Sequence, residues 1–189
     1  MPLLQVIVAS TRPGRIGRTV GEWFAGEAEA HEGFDVELVD LAEVALPFFD
    51  EPKHPRLQEY EHDHTRRWSE TISRGDAYAF VMPEYNFGYT APLKNAIDFL
   101  WNEWNDKPVA LVGYGGVSGG LRAIQLLKPV LTAVRLQHVA EVPIPFIHER
   151  VQDGRVEAND AMRSGASGAL DALARAVRVR DAAAATAES

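Results

Sequence analysis

Five short stretches of the chain have the apolar pattern of strands in a parallel sheet. The first, Leu3–Ala9, is a near-continuous apolar run of the kind that is buried on both faces, whereas residues 34–40 alternate apolar with polar side chains. The predicted strands cover residues 3–9, 34–40, 77–82, 109–113 and 137–142. Pro83 ends the third of them, because proline has no backbone N–H to donate to a sheet.

Five other segments repeat apolar residues at helical spacing. In the first of these, Val20, Phe24 and Ala28 would lie on one face of a helix. The predicted helices cover residues 17–32, 64–74, 92–101, 119–134 and 159–179. Pro129 is expected to kink or divide the fourth helix, because its ring clashes with the preceding turn.

Strands that alternate with helices predict an α/β protein with right-handed crossovers. We expect a flavodoxin-like three-layer sandwich, in which a five-stranded parallel sheet of order 2-1-3-4-5 has helices on both faces. Residues 1–180 are predicted to form this single domain, and the alanine-rich segment 181–189 a disordered tail. Residues 41–63 contain three prolines, which predicts an irregular excursion.

Composition and charge narrow the classes of function. The 189 residues carry a net charge of -8, so neither a nucleic acid nor an anionic membrane is an expected partner. The chain has no cysteine, which excludes disulfides, thiolate nucleophiles and cysteine-held metal centres, and we expect no metal site. The first apolar run is too short to span a membrane and has no leader pattern, so a cytoplasmic protein is expected.

Three predicted loops leave the carboxyl ends of neighbouring strands, where ligands bind in sheets of this kind. We name them loop 1 (residues 10–17), loop 2 (83–90) and loop 3 (113–119). All three have an unusual composition, and they are expected to lie side by side. Their unusual composition and shared position together predict a ligand site at this edge of the sheet.

Loop 1 predicts a phosphate site. It leads into the start of a helix, where free peptide N–H groups and the helix dipole favour an anion, and Ser10 and Thr11 add hydroxyl donors. Arg12 and Arg15 are candidates to clamp phosphate oxygens. The loop matches neither the Walker nor the dinucleotide glycine pattern, which favours a terminal monophosphate. The alternative is a solvated turn that contains arginines.

Loop 2 favours a flat heteroaromatic ligand. After Pro83, carbonyl, amide and aromatic groups are presented together by Glu84, Tyr85, Asn86 and Phe87. Gly88 permits unusual backbone angles. The alternative is a capped turn whose aromatic side chains fill the core.

Loop 3 is rich in glycine, which suggests that its backbone approaches another group closely. Gly113, Gly115 and Gly116 surround Tyr114, and two further glycines follow within a few residues. Peptide N–H groups here would be available to the polar rim of a ring system. The alternative is a flexible turn that leads into a helix.

Taken together, these loops resemble the NAD(P)H-dependent FMN reductase family, flavodoxin-like proteins that include quinone, azo-dye and chromate reductases. The resemblance lies in Ser10-Thr11-Arg12, in Pro83–Asn86 with Leu93–Asp98, and in Gly115–Gly120. It implies that the FMN phosphate is surrounded by Ser10, Arg12, Arg15, Ile16 and Gly17. It further implies that Pro83, Glu84, Tyr85 and Asn86 flank the ribityl chain and ring, and that Tyr114 and Gly115 approach the pyrimidine edge.

The resemblance also implies an activity and partners. FMN would take hydride from NADPH or NADH and pass electrons to a small-molecule electron acceptor such as a quinone, azo compound, free flavin or metal oxyanion, with no catalytic side chain required. Relatives commonly form a homodimer or homotetramer, in which Trp101 and Trp104 are interface candidates if they are not core residues. Gly17 departs from the Asn or Ser of many relatives. A flavodoxin-type electron carrier and a flavin-free binding module on the same fold remain alternatives.

Overall fold

The computed structural model describes residues 1–187, and its main sheet has five parallel strands. The strands are β1 (Leu3–Val8), β2 (Asp35–Asp40), β3 (Ala77–Pro83), β4 (Pro108–Tyr114) and β5 (Gln137–Ile144). Their spatial order is β2-β1-β3-β4-β5, which confirms the predicted flavodoxin-like topology. Since β1 pairs with both β2 and β3, the strand order reverses beside β1, and loops 1 and 2 leave the sheet next to each other.

Helices cover both faces of this sheet. They are α1 (Gly17–Ala30), α2 (Leu41–Val44), α3 (Asp63–Arg74), α4 (Ala91–Asp98), α5 (Leu121–Ala133) and α6 (Asp160–Ala187). Buried residues of α1 and α6 form one apolar core, and those of α3, α4 and α5 form the other. Within residues 1–187, no helix combines the length and the apolar character that crossing a bilayer would require.

Three features differ from the sequence predictions. Pro129 does not divide α5, which continues to Ala133 because Leu127 and Leu131, on either side of the proline, are both buried in the core. The helix α6 continues to Ala187 instead of ending at residue 179. This extension fits the high helix propensity of alanine. Residues 188 and 189 lie outside the described part of the chain.

A short antiparallel pair, β6 (Val151–Gln152) and β7 (Arg155–Val156), was also not predicted. Strands of two residues are too short to have a detectable period. The segment 41–63 is irregular apart from α2 and a 3-10 turn at Pro55–Leu57, which agrees with the prediction.

Candidate functional site

The three loops meet at a cleft of about 170 Å³ at the carboxyl ends of the strands. It is lined by Arg12, Arg15, Ile16, Pro83, Glu84, Tyr85, Tyr114, Gly115, Gly116, Ile147 and His148. Of the residues predicted for the site, Ser10, Gly17 and Asn86 are absent from this lining. Gly116, Ile147 and His148 were not predicted; the last two follow β5, and their position after the carboxyl end of a strand was the available signal.

The two candidate arginines of loop 1 have different environments. The Arg15 guanidinium donates to both carboxylate oxygens of Asp40, at 3.1 and 2.8 Å, and to the Ser10 carbonyl at 2.9 Å. Asp40 ends β2, and its side chain is 1% exposed. Arg15 therefore fastens loop 1 to β2, and most of its donors are already used. The Arg12 side chain is exposed and makes no hydrogen bond or ion pair within residues 1–187, so it is available to an anion.

Ser10 and Tyr114 bring two hydroxyl groups to the first residue of α1. Ser10 is fully buried, and its hydroxyl has no hydrogen-bond partner of standard geometry among the described residues. A Cβ atom placed on Gly17 would lie 1.9 Å from Ser10 Oγ and 2.5 Å from the Tyr114 hydroxyl. A side chain at position 17 would therefore require both hydroxyl groups to move, whereas glycine leaves them in place. The structure thus places the Tyr114 hydroxyl beside loop 1.

The start of α1 has the features of an anion site. Its N-cap residue, Ile16, offers no side-chain hydrogen bond, and the first turn contains no acidic residue. The peptide N–H groups of the first turn have no partner within the helix, and the helix dipole places positive charge at this end. Together with the unpartnered Ser10 hydroxyl and the free Arg12 cation, these groups fit a phosphate monoester.

Loop 2 folds back on itself as a two-residue turn. Tyr85 and Gly88 donate their backbone N–H groups to each other's carbonyl oxygens, at 3.0 and 2.9 Å. The two residues between them, Asn86 and Phe87, have positive φ angles of 48° and 70°. The positive angles fall on these two residues and not on Gly88, because a turn of this geometry requires positive φ at its two central positions. The strained turn leaves the Phe87 ring exposed.

Glu84 connects loop 2 to the start of α5. Its carboxylate accepts from the Arg122 backbone N–H at 3.1 Å and from the Arg122 guanidinium at 3.0 Å. Burial raises the pKa of Glu84, but hydrogen bonds from the Ser118 hydroxyl and from Arg122 outweigh it, so the pKa is lower than usual. The Arg122 guanidinium also lies 4.4 Å above the centre of the Phe87 ring. Glu84 therefore orders the mouth of the cleft, and its carboxylate is already occupied.

The glycines in loop 3 and directly after it form two groups, which differ in what surrounds them. A Cβ atom at Gly119 or Gly120 would lie within 3.0 Å of backbone atoms of β4 or of the chain at Ile144, so the predicted close approach is to the protein's own backbone. Gly115 and Gly116 instead line the cleft, and a Cβ at Gly116 would meet nothing within 4 Å. The Gly115 N–H donates to Ile144 O at 3.3 Å. The Gly116 N–H has no protein acceptor among the described residues and is free for a ligand.

The two tryptophans predicted as interface candidates differ in their exposure to solvent. Trp104 is 1% exposed and packs against Trp68, Tyr78 and Phe80, so it is a core residue. Trp101 is partly exposed, with the Arg56 guanidinium 4.2 Å from the centre of its ring.

Comparisons of the sequence and of the structure with known proteins both find NAD(P)H-dependent oxidoreductases. A family model described as NADPH-dependent FMN reductase matches residues 2–149. An NAD(P)H-dependent FMN reductase of Schizosaccharomyces pombe is 42% identical over 159 residues, which cover 82% of this chain and 79% of that protein. An FMN-dependent NADPH-azoreductase of Staphylococcus saprophyticus is 30% identical over 69% of this chain and 68% of its own.

Among solved structures, this chain is similar to FerB, a flavoenzyme NAD(P)H:(acceptor) oxidoreductase from Paracoccus denitrificans. The two superpose with a TM-score of 0.73 at 25% identity, over 94% of this chain and 98% of FerB.

Proposed function

We propose that the cleft between loops 1, 2 and 3 holds FMN, since the chain belongs to the NADPH-dependent FMN reductase family. NAD(P)H and a small acceptor would react at this cleft, one after the other. The chain is an oxidoreductase whose family uses FMN with NADH or NADPH. The observation that carries the proposal is that three groups with no partner among the described residues converge at, or directly behind, one end of the cleft. They are the Ser10 hydroxyl, the first turn of α1 and the Arg12 guanidinium.

The chain's own residues bind and orient the cofactor in this proposal. Ser10, Arg12 and the peptide groups of Ile16 and Gly17 hold the phosphate, and Arg15 keeps loop 1 in place through Asp40. Pro83, Tyr85 and Asn86 flank the ribityl chain and ring, with Glu84 fixing loop 2 to α5. When bound, FMN accepts hydride from the nicotinamide and passes electrons to the acceptor.

Loop 3 would contact the polar edge of the ring. The free Gly116 N–H is positioned to donate a hydrogen bond where negative charge develops on reduction. Gly115 contributes lining only, because its own N–H is bonded to Ile144.

The acceptor is proposed to be a small aromatic compound such as a quinone or an azo compound. The cleft mouth supports this, because the exposed rings of Tyr85 and Phe87 offer apolar faces for stacking. Relatives named as quinone oxidoreductases and azoreductases point to the same class.

Anaerobic reduction tests the proposed function. Protein reconstituted with FMN is mixed with NADPH or NADH without oxygen, and the absorbance of the oxidised flavin is followed, before quinones and azo compounds are added in turn. We expect the absorbance to disappear with a nicotinamide donor and to return with a competent acceptor. An electron carrier would keep its oxidised absorbance, and a flavin-free module would not retain FMN; either outcome overturns the proposal.

Arg12→Ala is expected to weaken FMN binding by about 2 kcal/mol, or about 30-fold, because one charged hydrogen bond to the phosphate is lost. The free energy of unfolding of the apoprotein should not change, since the exposed Arg12 side chain has no partner within residues 1–187. Titration followed by flavin fluorescence measures the affinity. Arg178→Ala, on the exposed side of α6, removes the same charge as a control. Equal FMN affinity in both variants would place the phosphate elsewhere.

We also propose that the protein forms a homodimer or homotetramer through the apolar surface around α2 and the start of α4. A second cavity, of about 540 Å³, lies there, lined mainly by apolar residues from Leu41 to Phe48 and from Ala91 to Ala96. The Phe48 side chain at its edge is 88% exposed, which is typical of an interaction surface. We expect light scattering to give at least twice the chain mass and Phe48→Glu to lower it. A monomeric wild-type protein at high concentration would disprove this.

A further inference from the structure

We propose that Tyr114 is a positioning residue for the phosphate end of the flavin: its phenol holds the Ser10 hydroxyl so that the serine hydrogen points at the phosphate. Tyr114 would then determine how strongly the site prefers FMN over riboflavin, which lacks the phosphate. This inference rests on the proposed function, because it assumes that the cleft holds a flavin.

The direction of the Tyr114 side chain is the first support. Tyr114 is the last residue of β4, and its ring packs in the core that contains α1, on the same face of the sheet as Val112 and Ala110. The side chain is buried, with 4% of the residue exposed, yet it lines the cleft. The ring therefore extends from loop 3, beneath the cleft, to the start of α1. Loops 1 and 3 are connected by this one side chain.

The second support is the arrangement around Gly17. The Ser10 and Tyr114 hydroxyls lie 1.9 and 2.5 Å from the position of a Gly17 Cβ, so both are directed at the same small volume. Ser10 Oγ is buried without a partner of standard geometry among residues 1–187, which would be costly if it stayed so in the working protein. The phenol is the polar side-chain group beside it. An anion at the first turn of α1 would supply the acceptor that the serine lacks.

The chemistry of the two hydroxyls sets the order of donors. Burial raises the pKa of Tyr114 to about 12, an effect that the nearby Ser10 hydroxyl opposes, so the phenol stays protonated at neutral pH. A serine hydroxyl can accept one hydrogen bond while donating another. In the proposed arrangement the phenol donates to Ser10 Oγ, which leaves the serine hydrogen for a phosphate oxygen. Hydrogen bonds arranged in such a chain strengthen one another.

The test compares two ligands in four proteins. Dissociation constants for FMN and riboflavin are measured by flavin fluorescence in the wild type, Tyr114→Phe, Ser10→Ala and the double variant. We expect Tyr114→Phe to weaken FMN about 5-fold, the effect of one hydrogen bond between neutral groups, and to leave riboflavin within about 2-fold. Because the residues act in sequence, the double variant should lose little more than Ser10→Ala alone. Tyr60→Phe, which removes a phenol that donates to Glu103 outside the cleft, is the matched control and should leave the FMN-to-riboflavin ratio unchanged.

Each outcome has a defined meaning. General damage to the cleft by Tyr114→Phe would weaken both flavins equally and would overturn the positioning role. An unchanged FMN-to-riboflavin ratio, or additive losses in the double variant, would overturn it as well. A wild-type protein that binds neither flavin would instead overturn the proposed function itself. Retained riboflavin binding in the variant also serves as the check that the protein is folded.

Discussion

Arg15→Ala is expected to lower the free energy of unfolding by about 3 kcal/mol. The substitution removes a guanidinium that pairs with both oxygens of Asp40, a carboxylate that is 1% exposed. A buried charge that loses its partner is costly, because water does not replace the lost interaction. A guanidinium nitrogen of Arg18 lies 3.4 Å from an oxygen of the same carboxylate and keeps part of the stabilisation. We therefore expect the lower end of the roughly 3–5 kcal/mol that is typical of breaking a buried ion pair. Urea unfolding followed by circular dichroism measures the change.

A paired substitution separates the charge effect from the loss of side-chain packing. Asp40→Asn removes the charge but keeps the oxygen that accepts the Ala42 backbone N–H at 3.0 Å. The double variant Arg15→Met/Asp40→Asn should therefore be more stable than Arg15→Met alone. Unfolding midpoints that are equal for wild type and Arg15→Ala would show that Arg15 does not fasten loop 1, and Arg15 would again be a candidate for direct phosphate binding.

The sequence alone did not separate Arg15 from Arg12. The same residue type in the same loop gives the same prediction, and the difference comes from Asp40, which lies 25 positions beyond Arg15. Parallel pairing of β1 with β2 sets Val8 opposite Asp40 and so brings the carboxylate to the edge where loop 1 begins. The strand order was predictable from the alternation of strands and helices, but an ion pair between side chains depends on rotamers that a sequence pattern does not specify.

For Tyr114, in contrast to Arg15, the sequence did contain a signal for the direction of the side chain. Successive residues of a strand point to opposite faces, so Tyr114 shares a face with Val112 and is directed toward α1. The structure places the phenol beside Ser10 and Gly17, while the approach of Tyr114 to the pyrimidine edge, which the family resemblance implied, stays a prediction. Counting along β4 would have given this direction. The exact fit of the hydroxyl against Gly17 required the three-dimensional packing of β4 against α1.

Gly120→Ala is expected to lower the free energy of unfolding by about 4 kcal/mol, among the largest effects of a single substitution. Gly120 has a φ angle of 85°, which costs about 1–2 kcal/mol for an alanine. The added Cβ would also lie 2.5 Å from the Tyr114 backbone nitrogen and 2.7 Å from the Gly113 carbonyl carbon. These atoms belong to β4, an interior strand that pairs with both β3 and β5, so they cannot move without disturbing the sheet. Urea unfolding, with expression level as a second readout, tests the prediction.

Two other glycines divide this cost into its parts. Gly14 has a φ angle of 69° but nothing within 4 Å of an added Cβ, so Gly14→Ala measures the backbone angle alone, at about 1 kcal/mol. Gly116 is equally open and does not have a positive φ, so Gly116→Ala should change stability by less than about 0.5 kcal/mol. The excess of Gly120→Ala over Gly14→Ala is then the cost of the collision with β4. If the two variants were equally stable, the close approach would not constrain the chain at position 120, and this glycine would have to be explained by the ligand instead.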